Sequence, residues 1–419
     1  MKRMPGIVSG VVLTAILAGA VGSSTHAQTK SVLLSVELPD SPTAGARLFA
    51  QKSCVRCHSL GGGEPRVGPD LGRILFSGTV LDLAGAFWNH APAMREKMQD
   101  LRIQPPTMTS GEMADIIALL TAYRYYITEL GGPGSPSAGR AVFASKGCVH
   151  CHSVNGNAWE QPGPNLRRYR GRFSAIFLAQ AMWNHGPEMA SAMQGLGLKW
   201  PKFTGREMGD LVAYLQAGNG GSSEERVYFE PGSPRRGRQL FSDKRCLACH
   251  AIAGKGGRGG PDLGTRPREL VGSVASIAGL MWNHSQGMTA EFRRRGIPRV
   301  TFSGQEMADI IGYLYFVNYA NVRGTPARGA QIFVDKCSTC HSIGSGKGIG
   351  PDLGGVPRLD DPIAIIAAMW NHSAKMEEEL RKRGLPWPRL ESGEAADLTA
   401  FLLSRRDTSA ARPTTGASR

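Results

Sequence analysis

Four apolar segments of helical length recur along the chain, and each begins at a glutamate. They cover residues 112–126, 207–216, 306–319 and 394–403. In the first three, a Ser or Thr three residues before that glutamate completes a capping box, as Thr109 does for Glu112. Each segment is too short to span a membrane and carries one Asp inside its apolar pattern. The pattern predicts four buried helices; their Asp residues are Asp115, Asp210, Asp309 and Asp397.

A second set of four segments precedes them, each opening with Ser-Pro or Thr-Pro. Ser or Thr favours the N-cap of a helix and Pro its first position, so these segments are predicted helices as well. A Gly and a Phe follow at fixed spacing, as Gly45 and Phe49 do after Pro42. The Gly indicates close contact with the closing segment, where we expect Leu119, Tyr214, Tyr313 and Phe401 to pack. The two sets define an internal repeat of about 90 residues, in copies 1 to 4 at residues 41–130, 135–217, 233–322 and 325–404.

Each copy carries Cys-x-x-Cys-His directly after its opening segment. This is the attachment signature of c-type haem: two thiols add to the haem vinyl groups, and the His binds the iron. The motifs use all eight cysteines of the chain: Cys54, Cys57, Cys148, Cys151, Cys246, Cys249, Cys337 and Cys340. We therefore expect four covalently bound haem c groups, with His58, His152, His250 and His341 as proximal iron ligands.

Zinc and redox dithiols are the alternative interpretations of paired cysteines. Ligand pairs of a zinc ribbon lie about 12–20 residues apart. Here the motifs start 94, 98 and 91 residues apart, and each ends in His. A catalytic dithiol does not require four copies that all end in His. The spacing favours haem.

The N-terminus has the pattern of a secretory signal peptide at residues 1–27. Lys2 and Arg3 precede an apolar stretch at 7–21, and Ala27 ends a small-x-small cleavage site. The alternative is an uncleaved membrane anchor, because residues 4–29 carry no charge. Haem attachment takes place outside the cytoplasm, so the signal and the motifs together predict a periplasmic or otherwise exported protein.

The segments between the copies differ in length. The short third linker, at 323–324, predicts that copies 3 and 4 dock closely. The longer second linker, at 218–232, predicts two halves, copies 1–2 and copies 3–4, that move relative to each other. Residues 405–419 are rich in Ser, Thr, Ala and Arg and are predicted to form a disordered tail.

The chain is basic, with 49 Lys and Arg against 34 Asp and Glu, a formal net charge of +15. These charges are spread along the sequence rather than clustered, so we expect no nucleic-acid partner. They suit a solvated surface, or docking to an acidic redox protein or an anionic membrane surface. Membrane association could also arise through a partner complex or an uncleaved signal.

The order of opening helix, haem motif, Gly-Pro-Asp/Asn-Leu turn, middle segment and capped closing helix resembles the class I cytochrome c domain. The resemblance covers nearly all of residues 41–404. It implies an all-α fold of four tandem class I cytochrome c-like domains joined by short linkers. It also implies that a proline carbonyl in the turn orients each proximal His; these prolines are Pro69, Pro164, Pro261 and Pro351. The alternative is a tight turn without that role.

Each copy also contains Trp-Asn-His, with a Met four residues after the His. We expect the tryptophans to pack against haem: Trp88, Trp183, Trp282 and Trp370. The resemblance implies His/Met ligation, so the favoured distal ligands are Met94, Met189, Met288 and Met376. The alternative distal ligands are His90, His185, His284 and His372. Pro92 and Pro187 are expected to break the helix between His and Met in copies 1 and 2.

In the family, the Met lies in a loop closer to the closing helix. Only copy 1 has a Met there, Met108; the other copies have Phe203, Phe302 and Leu390. That position is therefore expected to belong to the core. If Met binds the iron, we expect the neighbouring His and Asn to bond a haem propionate or the backbone.

These features predict an electron-transfer protein, not an enzyme, that passes single electrons between respiratory redox proteins at relatively high potential. One alternative is a haem-bearing subunit of a larger oxidoreductase complex. Another is a multihaem peroxidase or nitrogen-oxide reductase, which needs a haem with an open sixth position. All four copies keep both candidate ligands, which argues against the enzyme.

Overall fold

In a computed structural model, the described part of the chain contains four copies of one three-helix unit. The structure describes residues 36–410 apart from 63–66, 73, 75–77, 123–133, 155–160, 170–172, 205, 218–229, 266–272, 322 and 345. The predicted signal peptide and most of the second linker lie outside these residues. Of the helices that are described, none is long and apolar enough to cross a membrane.

Each copy has an opening, a middle and a closing helix. The opening helices are α1 (Pro42–Gln51), α4 (Pro136–Ser145), α7 (Pro234–Asp243) and α10 (Pro326–Lys336). The middle helices are α2 (Val80–Asp100), α5 (Ala175–Gly195), α8 (Val274–Arg294) and α11 (Pro362–Lys382). The closing helices are α3 (Ser110–Ala122), α6 (Glu207–Ala217), α9 (Gly304–Ala320) and α12 (Glu394–Ala410). The predicted all-α fold is confirmed.

Opening and closing helices cross at the predicted glycine. A Cβ at Gly45 would lie 2.0 Å from the backbone oxygen of Asp115 and 2.9 Å from Cβ of Leu119. In the other copies the aromatic ring of the closing helix packs on the Phe of the opening helix, as in the Phe143–Tyr214 pair with centroids 5.7 Å apart. The predicted packing of the closing helix against the Gly and Phe of the opening helix is confirmed.

The Asp inside each closing helix ties it to the start of the opening helix. Asp210 Oδ1 accepts the backbone N–H of Ser135 at 2.7 Å, and the other three Asp make the same contact. The carboxylate also faces the positive end of the opening helix dipole. A polar residue therefore belongs in these otherwise apolar helices because it caps a neighbouring helix.

The middle helices are continuous, and the predicted break at Pro92 and Pro187 is wrong. A proline inside a helix leaves the carbonyl four residues earlier without its N–H partner. In α2 that carbonyl belongs to Trp88 and accepts the indole N–H of Trp387 at 3.1 Å. In α5 it belongs to Trp183 and accepts a guanidinium N–H of Arg299. Both donors come from another copy, so docking supplies the bond that proline removes.

The copies dock in an order that the linkers did not predict. Helix α2 packs on α11, and α5 packs on α8, so copy 1 pairs with copy 4 and copy 2 with copy 3. Helix α9 of copy 3 also contacts α2 and α3 of copy 1. The division into halves 1–2 and 3–4 is therefore wrong, because apolar helix faces rather than linker lengths determine the docking.

Two smaller features also differ from the sequence prediction. Copy 3 has a short antiparallel hairpin, in which β1 (Ala251–Ile252) pairs with β2 (Lys255–Gly256). Helix α12 continues to Ala410, so part of the predicted tail at 405–419 is helical. The rest of that tail lies outside the described residues.

Candidate functional site

Each Cys-x-x-Cys-His motif lies on a tight turn that follows the opening helix. In copy 1 the chain leaves α1 through Ser53, which has a left-handed φ of 66°, and enters a 3₁₀ turn at Cys54. The backbone N–H groups of Cys57 and His58 both donate to the Cys54 carbonyl, at 3.1 and 2.9 Å. The same two bonds recur in the other three motifs. This turn therefore presents two thiols and one imidazole from five consecutive residues.

The first cysteine of each motif is held as a neutral thiol. Burial raises the pKa of Cys54, Cys148, Cys246 and Cys337 to about 11. All eight cysteines are described, and none forms a disulfide. A reactive dithiol needs a lowered pKa, and the first thiol of each pair is shifted in the opposite direction.

The proximal imidazoles are oriented by the proline carbonyls. The distance from Nδ1 to the carbonyl oxygen is 3.0 Å for His58–Pro69, and the other three pairs agree within 0.1 Å. A carbonyl only accepts, so Nδ1 carries the proton and Nε2 keeps its lone pair. That tautomer is the one a metal-binding histidine needs.

The role of the glycine before each of these prolines was not predicted. A Cβ at Gly68 would lie 2.4 Å from Cε1 of His58, and the corresponding contacts of Gly163, Gly260 and Gly350 are 2.5–2.7 Å. Only glycine lets the turn lie flat against the imidazole. Its recurrence before proline in all four copies was the available signal.

The two thiols, the oriented imidazole and the flat glycine fit covalent haem c. Within the described ranges, no three His, Cys, Asp or Glu side chains gather to hold a bare metal ion. Haem would be attached by the cysteines and bound through Nε2 of the proximal His.

The candidate distal residues lie on the middle helices. Met94, Met189, Met288 and Met376 are half-buried and pack against the hydrophobic core. The four histidines one turn earlier are exposed. In three of them Nδ1 donates to the carbonyl four residues earlier, as His90 does to Ala86 at 2.8 Å. The candidate methionines are thus half-buried, whereas the candidate histidines are exposed.

The tryptophans lie at contacts between copies, and their packing against haem stays a prediction. Trp88, Trp183, Trp282 and Trp370 are 5–8 % exposed because each is buried against another copy. Trp282 stacks on Trp200 with ring centroids 3.9 Å apart, and its indole N–H donates to the Pro201 carbonyl. Their recurrence reflects a contact between copies that a single domain would not reveal.

The neighbouring asparagines complete this contact. Asn283 of copy 3 donates to the Phe203 carbonyl at 2.7 Å and accepts the Phe203 backbone N–H at 2.8 Å. The equivalent Asn of every copy forms the same pair of bonds with its partner copy: Asn89 with Leu390, Asn184 with Phe302 and Asn371 with Met108. The expectation that Asn bonds backbone is met, but the backbone belongs to another copy.

A lysine next to each haem motif was also missed. Lys52 donates to the Thr107 carbonyl at 2.9 Å and pairs with Glu112 at 2.8 Å. The hydrogen bond from Lys52 to the Glu112 carboxylate holds the pKa of Glu112 below its usual value. The equivalent lysines are Lys146, Lys244 and Lys336. Their position one or two residues before the first Cys was the available signal.

Comparison with known families agrees with this site. The family model described as cytochrome c matches residues 136–219, 234–315 and 326–406, more than half of the chain. The chain belongs to the cytochrome c family. Copy 1 lies outside the matched residues but has the same motif and contacts. No solved structure matches the chain.

Membership of this family supports a haem-based electron-transfer role for the protein. It implies covalent haem c, and the eight cysteines in Cys-x-x-Cys-His spacing fit four such groups. It also suggests redox proteins as partners and gives no indication of nucleic-acid binding.

Proposed function

We propose that the protein is an exported tetrahaem cytochrome that carries single electrons between redox proteins and does not itself catalyse a substrate reaction. The observation that carries the proposal is the recurrence of one site four times, with the same proximal hydrogen bond and both candidate distal residues in every copy. The secretory pattern at residues 1–27 supports export. The basic net charge supports an acidic redox partner.

Bound haem would supply a one-electron Fe(III)/Fe(II) couple at each site. The chain's own residues attach and orient it. The cysteines fix its position, and the Pro69 carbonyl and its equivalents hold the imidazole ring in one orientation. The first cysteine of each motif packs against apolar side chains of the core. A site whose groups are held in place needs little rearrangement when its charge changes, which favours electron transfer.

We propose that the four methionines of the middle helices are the distal ligands. Met376 packs against the core from the middle helix, whereas His372 lies exposed and donates to its own helix. Thioether ligation and burial both raise the reduction potential relative to exposed bis-imidazole sites. We therefore propose a relatively high-potential carrier.

A redox titration with added ligands tests the carrier function. Purified holoprotein should show four one-electron steps, no binding of CO or cyanide at neutral pH, and no turnover of peroxide, nitrite or hydroxylamine. Ligand binding at one haem together with turnover would instead support a multihaem enzyme. Co-purification with a catalytic subunit, with the same four steps, would support the role of a complex subunit.

Two single variants in copy 4 test the distal ligand. Met376→Ala should convert one of four low-spin ferric signals in electron paramagnetic resonance to high spin. His372→Ala, the matched control one turn away, should leave all four signals unchanged. The reverse result would assign the distal position to His.

A further inference from the structure

The contacts between copies follow a reciprocal pattern within each pair. The Trp and Asn of one middle helix bind the non-helical segment just before the partner's closing helix (residues 103–109 in copy 1), and the partner does the same in return. Trp88 donates to Pro388 of copy 4, while Trp370 of copy 4 donates to Pro106 of copy 1. Copies 2 and 3 repeat this with Trp183 to Val300 and Trp282 to Pro201. Each pair is therefore related by an approximate two-fold axis.

The same non-helical segment is also held by a lysine next to its own haem motif. In copy 1, Lys52 binds the Thr107 carbonyl, and Asn371 of copy 4 binds the next residue, Met108. Lys52 lies two residues before Cys54, and Asn371 lies on the helix that carries Met376. A short bonded path thus leads from the haem attachment turn of one copy to the candidate ligand helix of its partner.

Side chains at equivalent positions specify which copies pair. Arg95 and Glu377 both lie seven residues after the Trp, and they meet as an ion pair with Nε and Oε2 2.6 Å apart. Copies 2 and 3 have Ala190 and Thr289 there. Arg95 is only 5 % exposed, so pairing copy 1 with copy 2 or 3 would bury its charge without a carboxylate.

The two pairs are joined between copies 1 and 3. Helix α9 contacts α2 and α3 of copy 1, and its residues from Met307 to Ala320 are all buried. Arg235 of copy 3 donates to the Leu38 carbonyl at 2.9 Å and pairs with Asp40 at 3.0 Å. The main helix contacts between described residues thus give copies 1 and 3 two docked neighbours each, and copies 2 and 4 one each.

We propose that electrons pass between the copies in the order 2, 3, 1, 4, or its reverse, rather than in the order of the sequence. The inference rests on the proposed carrier function. In each step one copy is oxidised by one electron and its docked neighbour is reduced by one electron, and no bond is made or broken. One-electron redox proteins act as donor and acceptor at the two ends. Copies 2 and 4 are therefore the copies that face the partners.

Removing one haem at a time maps the neighbours directly. Full-length variants with both cysteines of one motif changed to Ser are compared by the spin relaxation of the remaining ferric signals. Loss of haem from copy 1 (Cys54→Ser with Cys57→Ser) should slow the relaxation of copies 3 and 4 and leave copy 2 unchanged. An order that follows the sequence predicts the opposite, an effect on copy 2 alone. Loss of haem from copy 2 should affect only copy 3.

A second experiment needs no haem removal. A protease site inserted within residues 218–229 allows the linker between copies 2 and 3 to be cut in the folded holoprotein. Copies 1–2 and 3–4 should then remain together on size exclusion, because both pairs bridge the cut. Separate elution of the two fragments would overturn the proposed pairing.

Asn371→Ala tests the contact between copies 1 and 4 without removing a haem or cutting the chain. It should alter the ferric signals of copies 1 and 4 and leave those of copies 2 and 3 unchanged; a change confined to copies 3 and 4 would contradict the inference. This neighbour map does not depend on the external partners. Turnover of peroxide would overturn the carrier proposal but not the neighbour map. A neighbour map in sequence order would overturn only the proposed route.

Discussion

At the scale of single residues, the packing of each copy depends on the glycine where the opening and closing helices cross. A methyl group at Gly45 would lie 2.0 Å from a backbone oxygen, and backbone cannot move aside as a side chain can. We predict that Gly45→Ala destabilises copy 1 by about 3 kcal/mol, a cost typical of overpacking. Thermal unfolding followed by circular dichroism measures the effect.

Gly111→Ala is the matched control in the same copy. Gly111 lies in the first turn of α3, and a Cβ there would meet nothing within 4 Å. Because alanine favours helix over glycine by about 1 kcal/mol, this variant should be neutral or slightly stabilising. Equal destabilisation by both variants would contradict the close crossing.

Asp82 makes the contact between copies 1 and 4 sensitive to acid. Burial raises its pKa, but hydrogen bonds from Thr79 and from Ser392 and Gly393 of copy 4 outweigh this and leave the pKa below its usual value. The stabilisation is therefore present above the unfolded pKa, about 4, and is lost as the pH falls through the lower folded value. We predict that the melting temperature of Asp82→Asn falls less between pH 5 and pH 3 than that of wild type.

At the scale of elements, proline inside a middle helix is coupled to a donor from the partner copy. Pro187 leaves the Trp183 carbonyl without its helical N–H partner, and Arg299 of copy 3 donates to that carbonyl instead. The guanidinium carbon of Arg299 also lies 4.5 Å from the centroid of the Trp183 ring. In Pro187→Ala, the backbone N–H of residue 187 can bond the same carbonyl. We predict that Arg299→Ala then costs about 1 kcal/mol less than in wild type. A double-mutant cycle on thermal stability measures this coupling, and additive effects would contradict it.

The helices themselves were largely predictable, because their signals are local. Ser-Pro openings, capping boxes and the Gly–Tyr crossing lie within one copy, and the haem motif carries its chemistry in five residues. The role of the Trp-Asn pair was not predictable in this way, since Trp88 finds its partner Pro388 in another copy. In α2 and α5, the carbonyl that proline leaves without its N–H partner also finds its donor in another copy.

At the scale of the whole molecule, docking follows surface chemistry rather than linker length. The Arg95–Glu377 pair joins copies at the two ends of the sequence, and a short linker does not make copies 3 and 4 partners. Because linker length limits reach but does not select a partner, the sequence order gave the wrong halves. The reciprocal Trp contacts instead form two pairs, and helix α9 joins the two pairs between copies 1 and 3.

The proposed high-potential carrier requires four haem sites in which a Met is the second iron ligand beside the proximal His. Near-infrared magnetic circular dichroism of the oxidised holoprotein is the decisive measurement, because charge-transfer bands distinguish sulfur from imidazole as that second ligand. We predict four low-spin His/Met haems and no high-spin iron. Bis-imidazole bands would contradict the Met assignment and the high potential, and a high-spin band would contradict the carrier function by revealing an open site.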